Sequence, residues 1–215
     1  MLRTGQRIVR GPLRIAADGI GFPDPRPDDR DAEGILWPRV TGEEQGDPLY
    51  ADVHPLHQRA AMEDPRRLLC QVGMGPATVT SDGVLWLVPR PTGSATDPWR
   101  PGWPAVRTVE PPVCAAHAPL AARWCPRLRL GGHAAVFVRR APLVAVDGTL
   151  YRPTAAGTVA TRPRAVFELD GDGHQEVDAR FLLAEHLVRR LEDVTPVDLR
   201  DPELYRDAVP CDAGR

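Results

Sequence analysis

The stretch of sequence that decides the fold spans residues 70–88 and reads CQVGMGPATVTSDGVLWLV. It starts at Cys70 and continues through a glycine-rich segment, residues 73–76, that predicts a tight bend. Ser81-Asp82-Gly83 predicts a hairpin turn, and the apolar run Val84–Val88 predicts the strand that follows it. The stretch therefore predicts a cysteine on a bend with a β-hairpin directly after it.

A second cysteine motif, Cys114-Ala115-Ala116-His117, leads into a predicted helix. Cysteine and histidine side chains at this spacing can point at one tetrahedral metal centre. In a treble-clef zinc site the first ligand pair lies on a knuckle, a β-hairpin follows, and the second pair lies at the first turn of a helix. The order of Cys70, the hairpin and the Cys114–His117 pair therefore predicts a structural zinc site of this type.

The first ligand pair is incomplete, because a Cys-x-x-Cys knuckle needs a cysteine at the position of Gly73. Zinc takes four ligands, and Cys125 is a candidate for the fourth if the helix after His117 ends early. A water in the fourth position would make the site open, which is the catalytic arrangement. The competing explanation is that the cysteines are buried thiols that pack without metal. The predicted metal residues are Cys70, Cys114, His117 and Cys125, and the other candidate ligands are His54, His57 and His133.

Several segments resemble a family of uncharacterised actinobacterial proteins with a Cys-x-x-Cys knuckle and a second Cys-x-x-Cys later in the chain. The similar segments are Leu69–Gly73, Gly75–Ala77, Gly83–Leu87 and Pro111–Cys114, together with an Arg-Thr-Gly-x-Arg start at residues 3–7. The resemblance covers about the first two-thirds of the chain. It implies a zinc-binding ancestor and no activity. The sequence departs from the family pattern at Gly73 and at His117, of which only the histidine is a substitute ligand.

Composition excludes several classes of enzyme. The 27 basic residues are all arginine, and the chain of 215 residues contains no lysine and no asparagine. The missing lysine excludes Schiff-base chemistry and a P-loop, and the missing asparagine excludes a Cys-His-Asn triad. The formal net charge of −2 does not favour nucleic acid as the partner, because nucleic-acid-binding domains are usually basic.

The location expected from the sequence is cytoplasmic, without a membrane. No segment approaches the roughly 20 apolar residues of a membrane helix. The first seven residues, MLRTGQR, lack the apolar core of a secretory signal. In a reducing compartment the four cysteines are expected as thiols or metal ligands rather than as disulfides.

The rest of the chain predicts an α+β fold with mixed or antiparallel strands. Two short helices, within residues 55–68 and 114–124, accompany the treble-clef-like framework, and Asp178 begins an amphipathic helix that reaches about residue 192. Proline-rich residues 89–112, with Trp99 and Trp103, predict an extended loop. A single domain is expected over residues 1–195, with a knuckle region at 68–126 and a loosely ordered tail at 196–215.

The function favoured by these patterns is that of a non-catalytic accessory or protein-interaction protein with a structural zinc knuckle, intact or decayed. Its expected partner is a protein. The alternative is an enzyme that uses an open metal site, or Cys70 or Cys114 with His117 or His133 as base, on a small-molecule or peptide substrate. A treble clef that binds nucleic acid is disfavoured by the charge.

Overall fold

The computed structural model describes residues 1–16, 18–43, 45–49, 53–90, 106–155, 157–169 and 177–205. The tryptophans of the predicted proline-rich loop, Trp99 and Trp103, lie outside these residues. The end of that loop, residues 106–108, forms a short strand.

A seven-stranded antiparallel sheet forms the centre of the fold. Its strands follow the order β12-β11-β13-β10-β8-β7, and β9 also pairs with β13. Strand β13 pairs with β11 along its first half and with β10 along its second half. It therefore connects the β11–β12 side of the sheet to the β10–β8–β7 side. The strands are β7 Val79–Thr80, β8 Gly83–Pro89, β9 Val106–Thr108, β10 His133–Arg140, β11 Leu143–Thr154, β12 Gly157–Glu168 and β13 Leu182–Val197.

The N-terminal part of the chain adds three small two-stranded sheets, which pair β1 with β6, β2 with β5 and β3 with β4. Their strands are β1 Leu2–Arg3, β2 Arg7–Val9, β3 Arg14–Ala16, β4 Gly19–Gly21, β5 Arg39–Thr41 and β6 Pro48–Leu49. Ile20 and Leu36 from this region are buried against Leu183 of β13, so the N-terminal sheets pack on the central one.

Three α-helices complete the described structure: α1 Pro55–Met62, α2 Ala118–Trp124 and α3 Pro126–Gly131. The first two confirm the predicted short helices. Pro55 and Pro119 lie in first turns, where a proline costs no hydrogen bond. Pro126 ends α2 and begins α3, so one residue both stops a helix and starts the next. Together with the antiparallel sheets, the helices confirm the α+β class.

The helix predicted from Asp178 to about residue 192 is wrong, because this segment is a single 3-10 turn followed by strand β13. Apolar side chains lie on both faces of β13, and Leu182, Leu183 and Leu191 are fully buried. A strand covered on both faces needs apolar residues at nearly every position. Such a run also satisfies helical spacing, so periodicity alone cannot separate the two structures.

The two largest hydrophobic clusters among the described residues lie against the central sheet. Alternate residues of β8 point to opposite faces: Trp86 and Val88 join the first cluster, and Leu85 and Leu87 join the second. The second cluster also contains Cys70 and Cys114. The candidate metal residues therefore lie inside a core and not on the surface.

Residues 198–205, at the start of the segment predicted as a tail, pack against the second cluster. Leu204 is buried there, and the Tyr205 hydroxyl donates a hydrogen bond to the Leu199 carbonyl at 2.6 Å.

Candidate metal centre

The bend after Cys70 is closed by backbone hydrogen bonds. The Cys70 N–H donates to the Gly75 carbonyl at 2.7 Å, and the Met74 N–H donates to the Cys70 carbonyl at 2.8 Å. Met74 has a φ of 56°, which lies in the left-handed region that this tight turn requires and that residues other than glycine rarely adopt. These contacts hold the Cys70 side chain in the buried second cluster.

The Cys70 sulfur lies where hydrogen bonds favour the thiolate. The hydrogen bond from the Cys114 side chain is the strongest influence and lowers the pKa of Cys70 to about 5, although burial acts in the opposite direction. The backbone N–H groups of Gly73, Cys114 and Val72 also lower this pKa. Gly73, which stands where a second knuckle cysteine is missing, thus contributes its N–H group to the sulfur of the first.

Backbone hydrogen bonds place the second cysteine motif between the bend at Cys70 and the hairpin of β7 and β8. The Gln71 N–H donates to the Pro112 carbonyl at 3.0 Å, and the Val113 N–H donates to the Leu85 carbonyl at 3.0 Å. The Thr78 hydroxyl accepts a hydrogen bond from the Ala115 N–H at 2.8 Å. These bonds fix the backbone on both sides of the second cysteine, which is buried.

Helix α2 positions the histidine of the motif. The Ala118 N–H donates to the Cys114 carbonyl at 3.0 Å, which makes His117 the residue that precedes the helix. Because the turn between them is helical, the cysteine and histidine side chains lie side by side. The Cys-x-x-His spacing therefore produces the neighbouring pair that the sequence predicted.

The structure brings Cys70, Cys114 and His117 into one group. Their candidate ligand atoms all lie within 4.8 Å of one another. The His117 Nδ1 is 3.2 Å from the Cys114 Sγ and 3.6 Å from the Cys70 Sγ. In a tetrahedral zinc site with ordinary Zn–S and Zn–N bonds, sulfur and nitrogen are about 3.5 Å apart. The three side chains are thus spaced for a metal ion between them.

The structure does not bring Cys125 into this group. Helix α2 does end early, at Trp124, but Cys125 lies between α2 and α3 and packs half-buried against the second cluster. The other candidate histidines are also elsewhere: His54 and His57 stack on each other with ring centroids 3.8 Å apart, and the Nδ1 of His133 is 3.4 Å from the Leu128 carbonyl. Among the described residues the group has three members.

A second set of titratable residues was not predicted from the sequence. The Nδ1 of His186 is 2.9 Å from a carboxylate oxygen of Asp147 on the neighbouring strand, and Glu110 forms an ion pair with Arg127 at 3.0 Å. Burial raises the pKa of Glu110. No spacing in the sequence indicates this set, because strand pairing and the loop after β9 bring its members together.

Comparison with known proteins gives no relative. No protein family, no curated protein and no solved structure matches the chain. None of the helices among the described residues combines the length and the apolar character that a membrane-spanning helix needs. The resemblance to the actinobacterial proteins stays a prediction.

Proposed function

We propose that Cys70, Cys114 and His117 bind one zinc ion as a structural centre, and that the protein is a non-catalytic accessory or protein-interaction protein. One observation carries the proposal: two buried cysteine sulfurs and a histidine nitrogen lie within 4.8 Å of one another where the knuckle meets α2. An ion bound there would link two segments that are distant in sequence, the bend at Cys70 and the turn from Cys114 to His117.

The donor set fits zinc. Thiolate and imidazole are the ligands that structural zinc sites use most, and the harder cations Mg²⁺ and Ca²⁺ prefer oxygen. A metal requires the deprotonated thiolate, and the backbone N–H groups around Cys70 already favour it. His117 would coordinate through Nδ1, the atom that is near both sulfurs.

Burial supports a structural role over a catalytic one. Cys70 and Cys114 are closed off from solvent, and only His117 is partly exposed. Clefts of about 380, 560 and 940 Å³ lie among the described residues, and Cys70, Cys114 and His117 line none of these. A substrate in any of the three clefts would not touch the metal residues.

Helix α2 offers a surface for a protein partner. Leu120 and Trp124 are four residues apart, so they lie on one face of the helix, and both are exposed. Exposed apolar side chains that share a face are typical of interaction surfaces. Because His117 precedes this helix, a zinc ion would hold the surface in place against the core.

The enzyme alternative is favoured by one observation, the number of ligands. Three protein ligands with an open fourth position are the catalytic arrangement of zinc. Cobalt substitution separates the two functions, since the visible spectrum of Co²⁺ changes when an added anion enters its coordination sphere. We expect azide to leave the spectrum unchanged. A change that saturates with azide would favour the enzyme.

The experiment that tests the proposal is a measurement of metal content. The full chain, purified without tag or chelator, is compared with the Cys114→Ala/His117→Ala double variant and with Cys125→Ala as a matched control. We expect one zinc per chain in the wild type and in the control, and none in the double variant. Wild-type protein without zinc, or equal zinc in all three proteins, would contradict the proposal.

A further inference from the structure

A cleft of about 940 Å³ is lined by residues of α3 and of the central sheet, and we name it the Glu110 cleft. Its volume is within the range of small-molecule sites. Much of its lining is apolar, and the residues that matter for its chemistry are Val106, Val188, Glu110, Asp147, Arg107 and Arg127. It shares no residue with the candidate metal centre.

Apolar side chains are exposed at the cleft. Leu130 of α3 is 79% exposed and Val166 of β12 is 38% exposed, and both line the cleft. Two exposed aliphatic side chains that face the same concave surface indicate that an apolar group covers them in use. The occupant therefore has an apolar body.

The acidic groups of the cleft are more buried than its basic groups. The side chains of Glu110 and Asp147 are only 13% and 25% exposed. Burial raises the pKa of Glu110, because its charge has lost water without full replacement. A buried carboxylate in an apolar cleft favours a cation or a hydrogen-bond donor as its partner.

The basic groups of the cleft lie near solvent and are already paired. Arg107 donates two hydrogen bonds to Glu168 at 2.7 and 2.9 Å, and its side chain is 46% exposed. Arg127, the partner of Glu110, is 66% exposed. A cationic ligand that takes the place of Arg127 at Glu110 would leave the arginine side chain in solvent, where most of it already lies.

From this arrangement we propose that the Glu110 cleft binds a small apolar molecule that carries a primary amine. Its ammonium group lies at the Glu110 and Asp147 carboxylates, and its apolar body covers Val106, Val166 and Leu130. His186, whose Nδ1 is 2.9 Å from Asp147, fixes the orientation of that carboxylate. The proposal does not depend on zinc at the candidate metal centre.

Calorimetric titration of the full chain tests this site with three probes of one shape: phenethylamine, 2-phenylethanol and 3-phenylpropionate. We expect phenethylamine to bind once per chain, at least about tenfold tighter than the alcohol or the carboxylate. Equal affinity for the alcohol, tighter binding of the carboxylate, or no binding of the amine at millimolar concentration would overturn the proposal.

Variants of the cleft locate the binding. Glu110→Gln removes the negative charge of the more buried carboxylate and is expected to weaken amine binding at least about tenfold. Asp147→Asn is the second variant if Glu110→Gln unfolds, and thermal unfolding of each variant reports whether it folds. The control is Glu168→Gln. The Glu168 carboxylate pairs with Arg107 but does not line the cleft, so this variant should bind the amine within about twofold of the wild-type affinity. Amine binding unchanged in the folded Glu110→Gln and Asp147→Asn variants would also overturn the proposal.

Discussion

Two buried polar side chains dock helix α1 on strand β13. The Gln58 amide donates to the Val109 and Leu187 carbonyls at 3.0 and 2.9 Å, and its oxygen accepts from the Leu187 N–H at 3.0 Å. The Arg189 guanidinium donates to the carbonyls of Met62 and Ala141. Each side chain satisfies backbone groups that burial would otherwise leave unpaired. The sequence does not indicate these roles, since neither residue belongs to a motif.

Protonation of His54 in mild acid is expected to destabilise the fold. It caps α1, because its Nδ1 accepts a hydrogen bond from the His57 N–H at 3.2 Å. This atom accepts only in the neutral ring. Burial lowers the pKa of His54 to about 4, and the neighbouring His57 acts in the same direction.

The expected consequence is a loss of stability in mild acid. The pKa of His54 is about 4 in the folded chain and 6.5 in the unfolded chain. The contribution of the neutral His54 to the free energy of unfolding is therefore fully present above pH 6.5 and is lost as the pH falls toward 4. We expect the free energy of unfolding to fall over this window by up to about 3 kcal/mol more in the wild type than in His54→Asn, which keeps a capping oxygen and does not titrate. Denaturant unfolding at a series of pH values measures the difference. Parallel profiles for the two proteins would contradict this role of His54.

At the scale of elements, the hairpin of β7 and β8 is the feature that local sequence specified best. Val79–Thr80 and Gly83–Pro89 pair around the Ser-Asp-Gly turn, as predicted. Gly83 has a φ of +117°, and an added Cβ would lie 2.2 Å from the Val138 carbonyl oxygen. The turn therefore needs glycine for its backbone angle and also for the close approach of β10.

A pair of glycine substitutions separates these two requirements. Gly34 has a φ of +80° with nothing within 4 Å of an added Cβ, so Gly34→Ala should cost only the backbone strain, about 1–2 kcal/mol. Gly83→Ala adds the collision with β10 and should cost about 3 kcal/mol or more. Denaturant unfolding of both variants checks the difference. Equal losses would mean that the collision relaxes without cost.

Strand β13 shows where local sequence misleads. Its first residues repeat apolar side chains at a helical interval, and Asp178 caps the 3-10 turn through a hydrogen bond to the Arg180 N–H at 3.0 Å. Both signals are real, yet the segment pairs with β9, β10 and β11. Pairing on both edges supplies the hydrogen bonds that a helix would have made internally, and the hydrophobic clusters packed against the sheet bury both faces.

At the scale of the whole molecule, the two largest hydrophobic clusters lie on opposite faces of β8. The first contains Trp37, Met62 and Trp86, and the second contains the cysteines of the candidate metal centre. If zinc binds as proposed, its removal should loosen the second cluster first, because the ion joins the knuckle to the start of α2.

Hydrogen exchange measures this local effect. With zinc chelated, we expect faster amide exchange in residues 70–76 and 114–124 and unchanged exchange in residues 182–191 of β13. The Cys114→Ala/His117→Ala double variant should show no response to the chelator, since it lacks two of the three ligands. Uniformly faster exchange, or no change in the wild type, would contradict the link between the metal and this cluster.

The sequence alone determined the features that depend on neighbouring residues. The first two helices, the hairpin at Gly83 and the Cys114–His117 pair follow from prolines, turn residues and a three-residue spacing, and each of these acts within a few positions of the chain. The α+β class follows from the number of such segments.

Only the tertiary structure decided which distant residues meet. It placed Cys70 beside Cys114 and His117, left Cys125 outside their group, made β13 a strand, and assembled the Glu110 cleft. These outcomes depend on which elements pair and which faces are buried. The pairing and the burial are determined by the free energy of the whole chain, so a local pattern of residues does not predict them.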